Sequence, residues 1–406
     1  AGGLAGRVGG RTGFPEPGVT WAALALALTF SGGAKEVSME FFGAASEGLA
    51  KVRAAPQDLD LRPDRWATPL TIQAVDELMR EPLRTPERAG AWADKLGKGA
   101  LLSDRFALGL EILAHPPGAP VRGLPEALPA AAKVLPDGAR AAVADILGAI
   151  RDADALVKKS LESWPQGKRR HALAAAKSLL LDETPEEEDL KVFLEAERFE
   201  VEPMLQAARQ VSAAVERGLA VLGKTSLKNG LKWKTAFGDV IIKGNGNDEF
   251  NAASLREAAL IVDLGGDNAY LGSPASAGPG EIRVVIDLGR GVKIDGSGES
   301  GTASGVFGVG LLYLPNPSGV KTVRGGDFSL GAGLFGAGGL FMRGSASVVN
   351  GGRFTQGAGA FGTGVMVSEG EGARINAAQS GQGFGFTRGA GLFRHKGGSS
   401  RIEGGL

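Results

Sequence analysis

The chain has 406 residues, with 45 basic and 45 acidic side chains, 65 glycines and no cysteine. Without cysteine there are no thiol nucleophiles, disulfides, iron–sulfur clusters or thiolate zinc sites, and a net charge of zero carries no electrostatic footprint for nucleic acid. The length predicts roughly two to three domains, and 43% hydrophobic residues excludes a wholly disordered or polytopic membrane chain.

Glycine divides the chain, because 42 of the 65 fall between 231 and 406. Residues 1–33 read as a glycine-rich lead. Within it 1–18 has no periodicity, and Val19–Phe30 (VTWAALALALTF) is too short for the ~20 residues of a bilayer span. That run predicts a buried helix, or else the apolar core of an export signal with Arg7 and Arg11 ahead of it. The first residue, Ala1, hints that an export signal has been removed. No membrane span is expected.

Residues 34–230 form an irregular α-helical domain. Apolar side chains recur at three- and four-residue spacing, as in Ile72, Val75, Leu78 and Met79, then Ile146, Leu147 and Ile150, then Leu190, Phe193 and Leu194. Thr184-Pro185-Glu186-Glu187-Glu188 predicts a threonine N-cap, a first-turn proline and carboxylates at the positive end of the helix dipole. Thr85-Pro86-Glu87 repeats the device.

Residues 231–406 predict a parallel β-helix, a β-solenoid of about seven coils, so the fold class is α+β and multidomain. Val240–Phe250, Leu260–Tyr270 and Val284–Ile294 share one plan: three β-prone residues, a polar corner, glycines and a large apolar residue. Gly331-Ala-Gly-Leu-Phe-Gly336 recurs as Gly357-Ala-Gly-Ala-Phe-Gly362. Repeats of such length signal stacked coils stabilised by their neighbours. Phe307, Phe335 and Phe361 predict an aromatic ladder inside the solenoid, with the helical domain covering its first coil. At the other end, an uncovered coil would expose unpaired backbone edges, which predicts a protein partner or a second copy docked at the C-terminal end.

Ile261-Val-Asp-Leu-Gly-Gly-Asp-Asn-Ala-Tyr270, with Gly238–Asp248 before it, resembles bacterial envelope or secreted proteins carrying tandem D-L-G-G-D-D-x-Y repeats. The resemblance spans about 235–395, is good only in the first three units, and implies a β-solenoid and an exported bacterial protein of the periplasm, outer surface or medium. The family has no settled activity. Later units lose the aspartates, with Ser368 and Arg394 standing near the position of Asp263.

Gly244-Asn-Gly-Asn-Asp-Glu-Phe250 is similar to one unit of the RTX calcium repeat. Calcium takes six to eight oxygens, and Asp248, Asp263, Asp267 and Asp287 are the candidate ligands if the first coils stack in register. The alternative is that these residues suit corners and cap amides. Gly218–Thr225 satisfies the P-loop pattern, but helix precedes it where a strand is required. Gly331–Gly336 satisfies the dinucleotide fingerprint, but its recurrence marks a structural period. Glu111 with His115 could offer two metal ligands on one helical face, although no second pair accompanies them. His171 and His395 lie among basic residues.

The leading functional expectation is a non-catalytic secreted or envelope-associated scaffold, binding through the solenoid faces and open end. A polysaccharide-active enzyme using Asp263, Asp287 and Asp295 with Lys293 or Arg283 nearby is one alternative. A calcium-stabilised, adhesin-like module is the other. Polysaccharide is a possible partner and nucleic acid is not.

Overall fold

The computed structural model describes residues 49, 51, 72–98, 101–297 and 301–405. The lead 1–33 and its Val19–Phe30 run lie outside them. Helices come first: Gln73–Arg80 (α1), Thr85–Lys98 (α2), Leu102–Ile112 (α3), Asp137–Glu162 (α4), Gln166–Leu180 (α5), Glu187–Leu194 (α6) and Glu202–Leu222 (α7). The two expected threonine caps are absent. In α6 the helix starts two residues later than expected: the extended Glu186 is the N-cap, while Glu187, Glu188 and Asp189 occupy the first turn. In α2, Thr85 is itself helical and continues a tight turn over Pro82–Arg84.

A β-solenoid follows. Its first wall, sheet A, stacks Leu231–Thr235 (β1), Gly238–Lys243 (β2), Ala258–Asp263 (β4), Ile282–Asp287 (β6), Val309–Leu314 (β9), Ala337–Arg343 (β12), Thr363–Glu369 (β15) and Ala390–Lys396 (β17). Sheet B, the second wall, stacks Glu249–Asn251 (β3), Asp267–Leu271 (β5), Gly291–Gly296 (β7), Lys321–Gly325 (β10), Val348–Arg353 (β13), Arg374–Gln379 (β16) and Arg401–Gly404 (β18). Sheet C is narrow: Gly305–Val306 (β8), Gly333–Leu334 (β11) and Gly359–Ala360 (β14). A short helix, Ala252–Glu257 (α8), fills one early corner. All pairings are parallel except β1 with β2. At Gly266, where φ is +90°, a Cβ would stand 1.9 Å from the Gly246 carbonyl of the preceding coil, so only glycine fits.

Among the described residues, the helices do not cap the end of the first coil. They lie along sheet A, with α3 against β12, β15 and β17 and α7 against β9 and β12, while antiparallel β1 closes the early edge. The reason is in the strands: β4 and β9 are buried at every residue, as a sheet covered on both faces must be. Val240, Leu260, Val284, Leu311, Phe341 and Val365 join one core with helical residues such as Leu102, Phe106, Leu205 and Val211. Their neighbours Ile241, Ile261, Val285, Leu312, Leu340 and Met366 face the other way, into the solenoid, and meet Tyr270, Ile294, Val323, Val349 and Ile375 from sheet B. Helices and solenoid therefore share a core.

The aromatic ladder also differs from expectation. Phe307, Phe335 and Phe361 do stack, at 4.6 and 4.5 Å between centroids and nearly parallel. However, the stack lies outside the solenoid, against Trp164, Phe199 and Phe193 of the helical layer. Each phenylalanine has a left-handed backbone, with φ of 53, 51 and 46°. That conformation costs roughly 1–2 kcal/mol for a residue with a Cβ, and burying the ring offsets it. At Gly339 the outward column lacks a side chain; a Cβ there would be 2.9 Å from Leu102 Cδ1 and 3.3 Å from Phe106 Cζ, so α3 seats in the gap.

Candidate functional site

Lys243, Asp263 and Asp287 are in-register partners at the ends of β2, β4 and β6. Their parity is that of Ile241, Ile261 and Val285, so the column faces the solenoid interior. Asp263 and Asp287 are both fully buried there. Onward the column runs through Leu314, Met342, Ser368 and His395. The expected counterpart in the last repeat, Arg394, is thus one residue off, which in a strand means the opposite face.

Donors converge on Asp287. Its carboxylate accepts from Tyr270 Oη at 2.7 Å, from the Gly289 amide at 2.7 Å and from Asn268 Nδ2 at 3.1 Å on both oxygens. Asp263 accepts from the Gly265 amide at 3.1 Å, and its Oδ2 has no partner. Burial first, and then the charge of Asp287, pushes Asp263 up to about 8. Burial also raises Asp287, against the hydrogen bonds that lower it. Asp263 has fewer donors than Asp287, which favours its protonated form. Tyr270, sealed beside them, is raised well above its ordinary value by burial.

The balancing cation is Lys321, at the start of β10 and also fully buried. Its ammonium donates to the carbonyls of Gly289 (3.2 Å), Ser318 (3.0 Å) and Arg290. Burial lowers it, and the charges of Asp287 and Asp267 work against that. Buried charges persist on these terms.

The four candidate calcium ligands are not gathered together. Asp248 accepts from Lys243 Nζ at 2.6 Å, and Asp267 from the Gly291 amide at 2.9 Å. Asn247 and Asn268 act alike, accepting from the amides of Asp267 and Asp248 at 2.8 and 3.0 Å. These corner residues tie one coil to the next. Among the described residues no group of three or more histidine or acidic side chains is placed to hold a metal ion.

The carboxylates proposed for glycoside chemistry also separate. Asp263 and Asp287 are sealed within the solenoid, whereas Asp295 follows the inward Ile294 on β7, is exposed, and accepts from Ser297 Oγ at 2.9 Å. Arg283 is spent on Glu281 and on the carbonyls of Leu255 and Arg256.

The remaining motifs resolve locally. Gly218–Leu222 of the P-loop pattern lies within α7. Lys224 and Thr225 line a shallow cleft of about 330 Å³ beside Pro136 and Gly138 at the start of α4, and Thr225 Oγ1 donates to the Val221 carbonyl at 2.9 Å. After Gly331–Gly336 comes a strand, where a dinucleotide site needs a helix. Glu111 pairs with Lys95 instead of joining His115, which lies 3.3 Å from Glu202. His171 meets Asp189 at 2.6 Å. His395 contacts Ser400 Oγ at 2.8 Å and Ser368 Oγ at 3.3 Å, and burial lowers its pKa.

Sequence reasoning missed a half-buried acid. Glu216 on α7 accepts from the Ser103 amide at 3.0 Å, from Ser103 Oγ and from Tyr313 Oη at 3.3 Å, where α3, α7 and β9 meet. Burial pushes it up to about 7. It also missed Lys321 and the hydroxyl role of Tyr270, since nothing local marks a lysine or tyrosine whose partners lie in another coil. No protein-family model, curated protein or solved structure matches the chain.

Proposed function

We propose that this chain is a non-catalytic binding subunit of the β-solenoid class, exported from a bacterial cell and working through the outer face of sheet B. The observation that carries this reading is the inequality of the two walls. Sheet A is enclosed by helices, and of the acids that suggested catalysis Asp263 and Asp287 are sealed in the interior while Asp295 stands apart from them. Sheet B keeps one free face, with exposed side chains at alternate positions of β5, β7 and β16. Parallel strands about 4.8 Å apart make it a flat, periodic surface, suited to an extended partner. The export assignment rests on the similarity of Ile261–Tyr270 to envelope proteins.

The test is retention of the full chain on a panel of immobilised polysaccharides and envelope fractions, with chain-shortening of each polymer followed in parallel. Retention without product formation is expected. Product formation abolished by Asp263→Asn or Asp287→Asn would overturn the reading in favour of an enzyme. Retention of nothing would overturn it outright.

A further inference from the structure

Resting on sheet B as the recognition face, we propose that its occupant is an extended acidic polysaccharide, a polyuronate, gripped by Lys293, Arg324 and Arg374. All three are exposed on the outer face of sheet B. Register puts Lys293, Thr322, Val348 and Arg374 in one column and Asp295, Arg324, Asn350 and Asn376 in the next. Lys293 and Arg374 stand three strands apart, roughly 14 Å at the usual spacing. Arg324 lies between them in the second column, so the cations zigzag along the solenoid axis.

Several other cations of the solenoid are neutralised. Arg343 and Arg394 share Glu369, Arg353 meets Asp327, and Arg401 meets Glu403. Lys293, Arg324 and Arg374 make no ion pair among the described residues. Arg324 stands in register with Asp295 and still leaves that carboxylate to Ser297. Asn376 Nδ2 donates to Asn350 Oδ1 at 2.9 Å, which orders both amides and leaves Asn350 Nδ2 and Asn376 Oδ1 for hydroxyl groups.

These features select a class of partner. Guanidinium groups take carboxylates in bidentate fashion, and ordered amides suit vicinal hydroxyls, so each kind of group on a uronic acid has a counterpart. A sugar chain also advances by nearly one strand spacing per residue. A nucleic acid presents charge far more densely, about one per 1.7 Å of duplex axis, than three cations spread over roughly 14 Å can match.

Calorimetric titration of the full chain with polygalacturonate, neutral dextran and oligo-dT tests the proposal. The expected result is binding of polygalacturonate alone, weakening with salt as a contact of two or three charges does. Arg324→Glu with Arg374→Glu should weaken it at least tenfold without moving the melting temperature. The reversal Lys133→Glu with Arg170→Glu, on the helical layer, should leave it intact. No polygalacturonate binding, binding indifferent to the sheet B reversal, or tighter binding of oligo-dT would overturn the proposal. If another polymer of the panel is retained and lost on that reversal, the polyuronate assignment fails while sheet B stands as the binding face. If the panel retains nothing, both fall.

Discussion

Sheets A and B are built by the same coils, yet they read differently. β9 (VGLLYL) is buried throughout, whereas β7 (GVKIDG) alternates between buried and exposed. A parallel strand shows a continuous apolar run only when something covers both of its faces. The contrast therefore records what lies outside each wall: a helical layer beyond sheet A and solvent beyond sheet B. It also shows why the phenylalanine ladder turns outward. Left-handed corners at 307, 335 and 361 aim the rings at Trp164, Phe199 and Phe193, and so join the two parts of the chain.

The largest way to sharpen this contrast is pH. Asp263 ordinarily titrates at 3.8 and holds its proton to about 8 when folded; Glu216 moves from 4.5 to about 7. Between those limits the unfolded chain has released protons that the folded chain retains, so stability falls as pH rises from about 4 to 8. For Asp263 alone the loss is on the order of 5 kcal/mol. Urea melts across that range should show the slope. Asp263→Asn, which mimics the protonated acid, should reduce it to the part left by Glu216 and Asp287.

Next comes Phe335→Ala. It removes the middle ring between Phe307 and Phe361 and its contacts with Trp164, and should cost about 3–5 kcal/mol in the same melts. Gly339→Leu follows. In a sheet with a free face, leucine beside Leu311 and Val365 would extend an apolar column. Here it meets Leu102 and Phe106, and a loss of about 1–3 kcal/mol is expected. A gain would mean that α3 does not seat on sheet A. Smallest of all, Lys293→Ala or Arg374→Ala on sheet B should stay within about 0.5 kcal/mol. A larger effect would remove the distinction between the two walls.

The coils were legible because their signal is local. Val240–Phe250, Leu260–Tyr270 and Val284–Ile294 repeat one pattern, and stacking puts Asp263 and Asp287 side by side in register. The helical periods of α4 and α7 were equally plain. Less could be read of the site. Asp263 and Asp287 were seen as carboxylates open to a ligand, because a corner aspartate looks the same whether it caps an amide, binds calcium or lies sealed. Its neutralising partner, Lys321, belongs to a later coil and carries no local mark. Thr184 was mistaken for a cap because the helix starts at Glu187, beyond the reach of its side chain's capping position.

By itself, then, the sequence determined the two kinds of architecture and their order, since hydrophobic period and glycine placement act over a few residues. It also determined which strand residues share a face. Only the tertiary structure decided which of those faces is the outside. Alternation specifies two sides of a strand without saying what covers either, and that depends on contacts between residues far apart in the chain, such as Phe106 with Gly339 and Glu216 with Tyr313. For the same reason it took the folded chain to show that Asp263 and Asp287 look inward, while Lys293, Arg324 and Arg374 look out.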